Sequence, residues 1–316
     1  YVNDVVAPLK TMLETDLAWS STDFGFFTGG YSFLNVFFLM LIWGGLILDR
    51  FGIRFTGKLA TILMVGGTAL EYYAMTGLAG ADATLFGINE IFGYKTGVFV
   101  AFAGYSIFGV GAEVAGITVS KIIAKWFKGK ELATAMGVQV ALARIGSQAG
   151  YAVAIPLARA FGISTPVLLG LVLLLGGMIA FFIFAVMDKK LDKQMEAAAI
   201  AAGTEDEEEK FSFKDVKNIL VNPGFWLIAL LCVLFYSCVF PFQKFASELM
   251  IIKYGINENV AGTFAGLPAL GALILTPVFG GFIDKRGKSA SIMLLGSAML
   301  ICVHFIYAIP DINYWL

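Results

Sequence analysis

Eight stretches of about 20 or more mainly apolar residues run the length of this chain, separated by connections that hold most of its charge. They occupy approximately 23–48, 55–79, 97–121, 132–160, 165–187, 223–252, 258–283 and 289–309. A hydrocarbon layer of ~30 Å is crossed by about 20 apolar residues rising 1.5 Å each, so every stretch is long enough to cross one. Apart from closed barrels, only helices satisfy their own backbone groups in such a layer. Composition agrees: 59% of the 316 residues are apolar and 14% are charged, where a soluble domain carries roughly a quarter charged. An all-α polytopic membrane protein is therefore expected. Residues 1–20 lack the basic, apolar, small-residue order of a cleavable signal, and the start reads as cut rather than processed.

The 22 lysines and arginines sort by side. One set of connections holds 16 of them: Arg50, Arg54 and Lys58; Lys121, Lys125, Lys128 and Lys130; Lys189, Lys190, Lys193, Lys210, Lys214 and Lys217; Lys285, Arg286 and Lys288. The alternate set holds Lys10, Lys95, Arg159 and Lys253, while Arg144 and Lys244 fall within spans. Basic residues favour the cytoplasmic side, so the richer set is expected there and both ends of the chain outside. The net charge of -1 gives no broad basic field, and nucleic acid is not expected as a partner. Cys232, Cys238 and Cys302 lack ligand spacing and read as small buried hydrophobes, so no metal or other cofactor is expected. The chain has no N-x-S/T acceptor, which favours a bacterial source and an inner-membrane location.

Between 188 and 222 the apolar pattern breaks into a polar stretch with an acidic run, EDEEE at 205–209. It reads as a solvated cytoplasmic linker between an N-terminal half, 1–187, and part of a C-terminal half, 223–316. A short motif recurs on either side of it: GLILDRFGIR at 45–54 and GFIDKRGK at 281–288. In the first copy Gly45 would let helices approach, Asp49 would cap or pair with basic groups, and Gly52 would turn the chain between Arg50 and Arg54. The second copy supplies Asp284, Lys285, Arg286 and Gly287 without the spacer that separates Gly52 from Arg54.

On these motifs the chain resembles the major facilitator superfamily, and the resemblance covers all of it. That implies two pseudo-symmetric helical halves with eight of twelve expected spans present, 23–48 being the second and 289–309 the ninth. Helix one and helices ten to twelve would then lie outside this sequence. WFKGKEL at 126–132, ARIGS at 143–147, FGIR at 51–54, YSFLN at 31–35 and VFPF at 239–242 are similar to the branch of lysosomal dipeptide carriers called major facilitator superfamily domain-containing protein one. The branch implies that an acidic residue of the fourth helix and an arginine of the fifth grip the two charged ends of a dipeptide. Their counterparts here are Glu113 and Arg144.

Spacing supports the pair independently. Glu113 lies 12 residues before Lys125 and Arg144 lies 13 after Glu131, so both sit about 18–20 Å from the basic side. A carboxylate and a guanidinium at one depth can hold a zwitterion, or can be an ion pair that merely orders two helices. Tyr31 and Asn35, one turn apart, can face the same cavity or bond between helices, as can Gln139 and Gln148. Lys244 and Glu248 form an i,i+4 pair that reads as a snorkelled surface pair or a gate. His304 is a proton carrier or an interface residue, and Glu71 beside Tyr72 and Tyr73 an interfacial anchor.

The reading that results is a carrier working by alternating access, moving dipeptides or similar zwitterions by facilitated diffusion across a lipid bilayer. A proton-coupled antiporter of drugs or organic anions is the alternative. A channel is disfavoured by the two-half repeat. An enzyme is not expected, because no nucleophile with a base and no phosphate-cradling loop is present. Accessory subunits are not legible in the sequence.

Overall fold

The computed structural model describes residues 1–80, 83–127, 132–202, 220–286 and 288–309, with the side chains of 133, 195–202, 277, 280, 281, 283–285 and 289 outside the description. All eight apolar stretches are helical. A reciprocal cap opens the first of them: Asp23 N donates to Ser20 Oγ at 3.1 Å, and Ser20 N donates to Asp23 Oδ2 at 2.8 Å. Helix α3 (Ser21–Phe37) follows, after two short N-terminal helices, α1 (Val2–Val5) and α2 (Lys10–Asp16). It breaks at Phe38 and Leu39, where Leu39 takes the left-handed φ of 51°. The expected single span over 23–48 is thus two helical pieces.

Helix α4 (Met40–Thr76) is interrupted at Gly52, whose φ of 75° and ψ of 173° belong to a region open essentially to glycine. Its arms 40–51 and 53–76 form a hairpin. Between them runs α5 (Thr96–Trp126), parallel to α3 and the first arm and antiparallel to the second. Close backbone approach makes this packing possible. A Cβ on Gly67 would stand 2.5 Å from the Gly104 carbonyl oxygen, and one on Gly44 would stand 2.6 Å from Val114. The approach is at Gly44, not at Gly45, around which a Cβ would meet nothing within 4 Å.

A two-residue hairpin, β1 (Glu90–Ile91) with β2 (Tyr94–Lys95), precedes α5. Helices α6 (Leu132–Phe161), α7 (Thr165–Ala202), α8 (Pro223–Tyr254), α9 (Glu258–Arg286) and α10 (Ser289–Ala308) complete the described chain. Gly255 ends α8 in the left-handed conformation at φ 63°, with its N–H on the Ile251 carbonyl. Thr96–Trp126, Thr165–Gln194, Pro223–Tyr254, Glu258–Thr276 and Ala290–Ala308 are long and apolar enough to cross a membrane, as is α3 taken with α4. Leu132–Phe161, which carries Arg144 and Arg159, falls outside that set.

Helix α7 continues beyond the apolar stretch, to Ala202, because Lys, Gln, Met, Glu and Ala sustain a helix there. The acidic run at 205–209 lies outside the described residues. The three cysteines are exposed, on stretches of α8 and α10 with few described neighbours, rather than buried. Finally, residues 2–19 are too short to span, yet Val5, Val6, Leu9 and Leu13 are fully buried in the main core with Phe24, Phe27 and Tyr105. This segment packs against α6, α7 and α8: Tyr1 Oη donates to the Pro166 carbonyl of α7 at 3.2 Å, and Lys10 pairs with Glu248 of α8.

Candidate functional site

The hairpin at Gly52, the ends of α5 and α7, and the start of α6 gather the basic residues at one end of the bundle, here the basic end; the other is the far end. Among the described residues, every hydrogen bond and ion pair between 1–187 and 223–309 lies toward the far end. Arg159 bonds Glu258 and, at 2.8 Å, Asn259 Oδ1; Tyr151 Oη donates to the Gln243 carbonyl at 3.1 Å. Gln148 Nε2 donates to the Thr263 carbonyl at 3.4 Å. One turn nearer the basic end, Arg144 is exposed and has no ion-pair partner among the described residues. Among the described residues, polar contact between the halves therefore stops between these two side chains.

Glu113 is half-buried and accepts a hydrogen bond from Tyr31 Oη at 2.8 Å. No ion pair joins it to Arg144, so in this conformation the two are not a helix-ordering pair. Asn35 lies one turn from Tyr31 and donates to the Tyr31 carbonyl at 3.1 Å, leaving its own Oδ1 buried without a partner. Gln139 is half-buried. The carboxylate–phenol pair continues through aromatic contact, with the Tyr31 and Tyr105 ring centroids 5.6 Å apart.

Tyr105 leads to a cation that the sequence placed on the surface. Lys244 does not pair with Glu248 but points inward, donating to the Asn3 carbonyl at 2.7 Å and to Tyr105 Oη at 3.1 Å. Tyr105 Oη in turn donates to the Asn3 carbonyl at 2.8 Å. Glu248 pairs instead with Lys10, which also holds Glu14 at 2.8 Å. The hydrogen bond from Lys10 keeps the Glu14 carboxyl below its ordinary range. Burial pulls the Lys10 ammonium down, but the bonds to Glu14 and Glu248 outweigh it and the pKa stands above the usual lysine value. Glu71 is not an interfacial anchor: it is fully buried against α5. His304 stacks edge-on against Phe242 at 5.6 Å, with Nδ1 2.9 Å from the Leu300 carbonyl.

At the basic end Asp49 pairs with Lys121 at 2.9 Å, and Arg50 lies over the Phe51 ring at 5.6 Å. Arg54 reaches across to α7, 3.2 Å from Asp188 and also bonded to Asp192. Asp188 is completely buried and accepts from Lys125 at 2.7 Å and Trp126 Nε1 at 3.0 Å. Asp188 and Asp192 are four residues apart on one face of α7, the spacing that could have marked them in the sequence. In the second copy of the motif Arg286 lies over Phe282 at 5.1 Å. Gly287 and the side chains of Asp284 and Lys285 lie outside the described residues. No cluster of three or more His, Cys, Asp or Glu among the described residues could hold a metal ion.

A helical chain with two halves joined at one end, and a glycine-turned Asp-Arg motif at the other, matches the Major Facilitator Superfamily model over residues 1–316. The chain belongs to that superfamily. By that membership it is a polytopic helical membrane protein. It is similar to the lysosomal dipeptide transporter MFSD1 of Homo sapiens, 27% identical over 327 residues, covering 99% of this chain and 64% of that protein. It is 25% identical to the Danio rerio transporter of the same name over 324 residues, with the same coverage. To that of Gallus gallus it is 30% identical over 226 residues, 67% of this chain and 49% of that protein. The chain thus spans about two-thirds or less of the length of these relatives.

Proposed function

We propose that this facilitator carries dipeptides or similar small zwitterions by alternating access, as a facilitated-diffusion carrier rather than a driven pump. The observation that carries this reading is the disposition of Glu113 and Arg144. The carboxylate is held by Tyr31, the guanidinium stands exposed where polar contact between the halves ends, and the two do not neutralise each other. Glu113 would receive a substrate ammonium, and Arg144 would grip a carboxylate with two parallel hydrogen bonds. Tyr31, Asn35 and Gln139 would complete the wall, and Gln148 would mark its far-side limit. The similarity to lysosomal dipeptide transporters supports the cargo class.

With the basic end cytoplasmic, this conformation is closed outside and open inside. The motif residues around Gly52 then act at the cytoplasmic gate, where Arg54 ties the hairpin to α7. The absence of a glycosylation acceptor supports a bacterial inner membrane, whereas the relatives are lysosomal by name. Fractionation of the source cells decides between the two.

The test is uptake of a labelled dipeptide by the whole protein in liposomes, with Glu113→Gln and Arg144→Ala beside the parent and the proton gradient dissipated. Saturable uptake that survives loss of the gradient and fails in both variants is expected. Uptake that collapses with the gradient points to the proton-coupled antiporter instead, and no dipeptide uptake by folded protein rejects this cargo.

A further inference from the structure

Glu71 lies on the second arm of α4, 18 residues beyond Ile53 and so about 27 Å along the helix toward the far end. Its side chain is 0% exposed, and neither carboxyl oxygen has a hydrogen-bond partner among the described residues. The wall beside it is sealed by backbone: a Cβ on Gly104 would stand 2.9 Å from the Glu71 nitrogen. Lys244 from α8 is the charged group that acts on it, and Tyr105 from α5 is a neighbouring phenol, with Asp4, Tyr31 and Tyr151 around it. Lys244 is engaged with Asn3 and Tyr105 and forms no ion pair with Glu71. An ionised carboxylate with neither a hydrogen bond nor a counter-charge in contact is costly in such a place.

Of the groups around this pocket, Lys244 is the one whose contacts must part when the far end opens. Lys244 belongs to α8, whereas its partners Asn3 and Tyr105 belong to the other half. Opening separates them and admits far-side water to Glu71. We infer that Glu71 is a proton-binding site that reads the far-side compartment: the acid is protonated while that end is closed, and gives its proton to far-side water when it opens. In that step the carboxylic O–H bond breaks, a water O–H bond forms, and the charge left on Glu71 is free to pair with Lys244. The proton returns from the same side before closure, so it sets the rate of closing without driving net uptake. The opening movement rests on the carrier reading above; the proton on Glu71 does not.

Two measurements on the whole protein in liposomes test this. The first is the infrared spectrum at neutral pH without cargo. A carboxylic-acid carbonyl band is expected in the parent and in Glu113→Gln, is missing in Glu71→Gln, and persists with an altered titration midpoint in Glu71→Asp. A parent without the band, or a Glu71→Gln variant that retains it, overturns the inference. The second is dipeptide flux at varied far-side pH. The parent is expected to slow by about tenfold per pH unit above the midpoint, while Glu71→Gln is flat. A Glu71→Gln variant with the parent's pH profile overturns the inference as well. Absence of flux in the parent sinks the carrier reading, and the infrared band then decides alone whether Glu71 holds a proton.

Discussion

Lys244 and Tyr105 meet across the seam between the two halves, the ammonium nitrogen 3.1 Å from the phenol oxygen and 5.6 Å from the centre of its ring. One phenol therefore touches the cation at the far end through its oxygen and, through its ring, the tyrosine that holds Glu113. Lys244 and the Glu113 carboxylate are joined by two aromatic side chains.

Removing that cation should open the seam. In Lys244→Met the Tyr105 hydroxyl keeps its bond to Asn3, so the fold survives, but charge-assisted bonds of about 2 kcal/mol are lost from the far-closed state alone. A shift of roughly 30-fold toward the far-open state is expected, measurable as a longer distance between spin labels placed on either side of the far end.

At Gly52 the strain is conformational, not steric, because a Cβ there would meet nothing within 4 Å. Gly52→Ala should cost about 1–3 kcal/mol through its φ of 75°. Thermal unfolding in detergent checks this, with Gly45→Ala, equally open but in helical backbone, as the control expected to be neutral or slightly stabilising.

The neighbouring glycines Gly66 and Gly67 should respond in opposite ways. Gly67→Ala drives a methyl group into the Gly104 carbonyl and should destabilise by about 1–3 kcal/mol. Gly66→Ala faces open space and should not. Melting temperatures of the two variants side by side decide it, and equal values would show that α4 and α5 do not cross at Gly67.

Asp188→Asn leaves Arg54, Lys125 and Trp126 around a neutral group. Loss of about 2–4 kcal/mol is expected, less than for an isolated buried pair because Asp192 still receives both cations. Adding Arg54→Met to Asp188→Asn should then cost less than the sum of the two single changes in a double-mutant cycle.

The Lys10 cluster should be silent to mild acid. Because the folded Glu14 pKa lies below its unfolded value, the stabilisation it gives is present above the unfolded pKa and is lost only as pH falls through the folded one. Lys10 runs the other way: its contribution is present below the unfolded lysine pKa and lost as pH rises through the higher folded one. Between about pH 5 and 8 the cluster stays charged, so Glu14→Gln should leave the pH profile of flux unchanged there.

What could be read from sequence followed from local constraints. The eight helices were legible because a bilayer imposes a length, and the turn at Gly52 because Asp-Arg-Phe-Gly at the end of an apolar stretch leaves few other uses for a glycine. Glu71 was misread, and Lys244 left between a surface pair and a gate, for one reason: charges near the far ends of helices look like surface groups until what covers them is known. For Lys244 the cover includes residues 2–19, whose Asn3 accepts its hydrogen bond, a segment too interrupted by Asp4 and Lys10 to register as a span. Asp188 was assigned to a linker because apolarity ended there, although the helix did not.

A single residue joins the arms of α4, and it is held in a conformation that nothing but glycine adopts easily. Such a connection has no slack. The two arms cannot slide past each other to absorb motion, so a displacement imposed on Arg54 at the basic end must reach the buried Glu71 as the swing of one stiff lever.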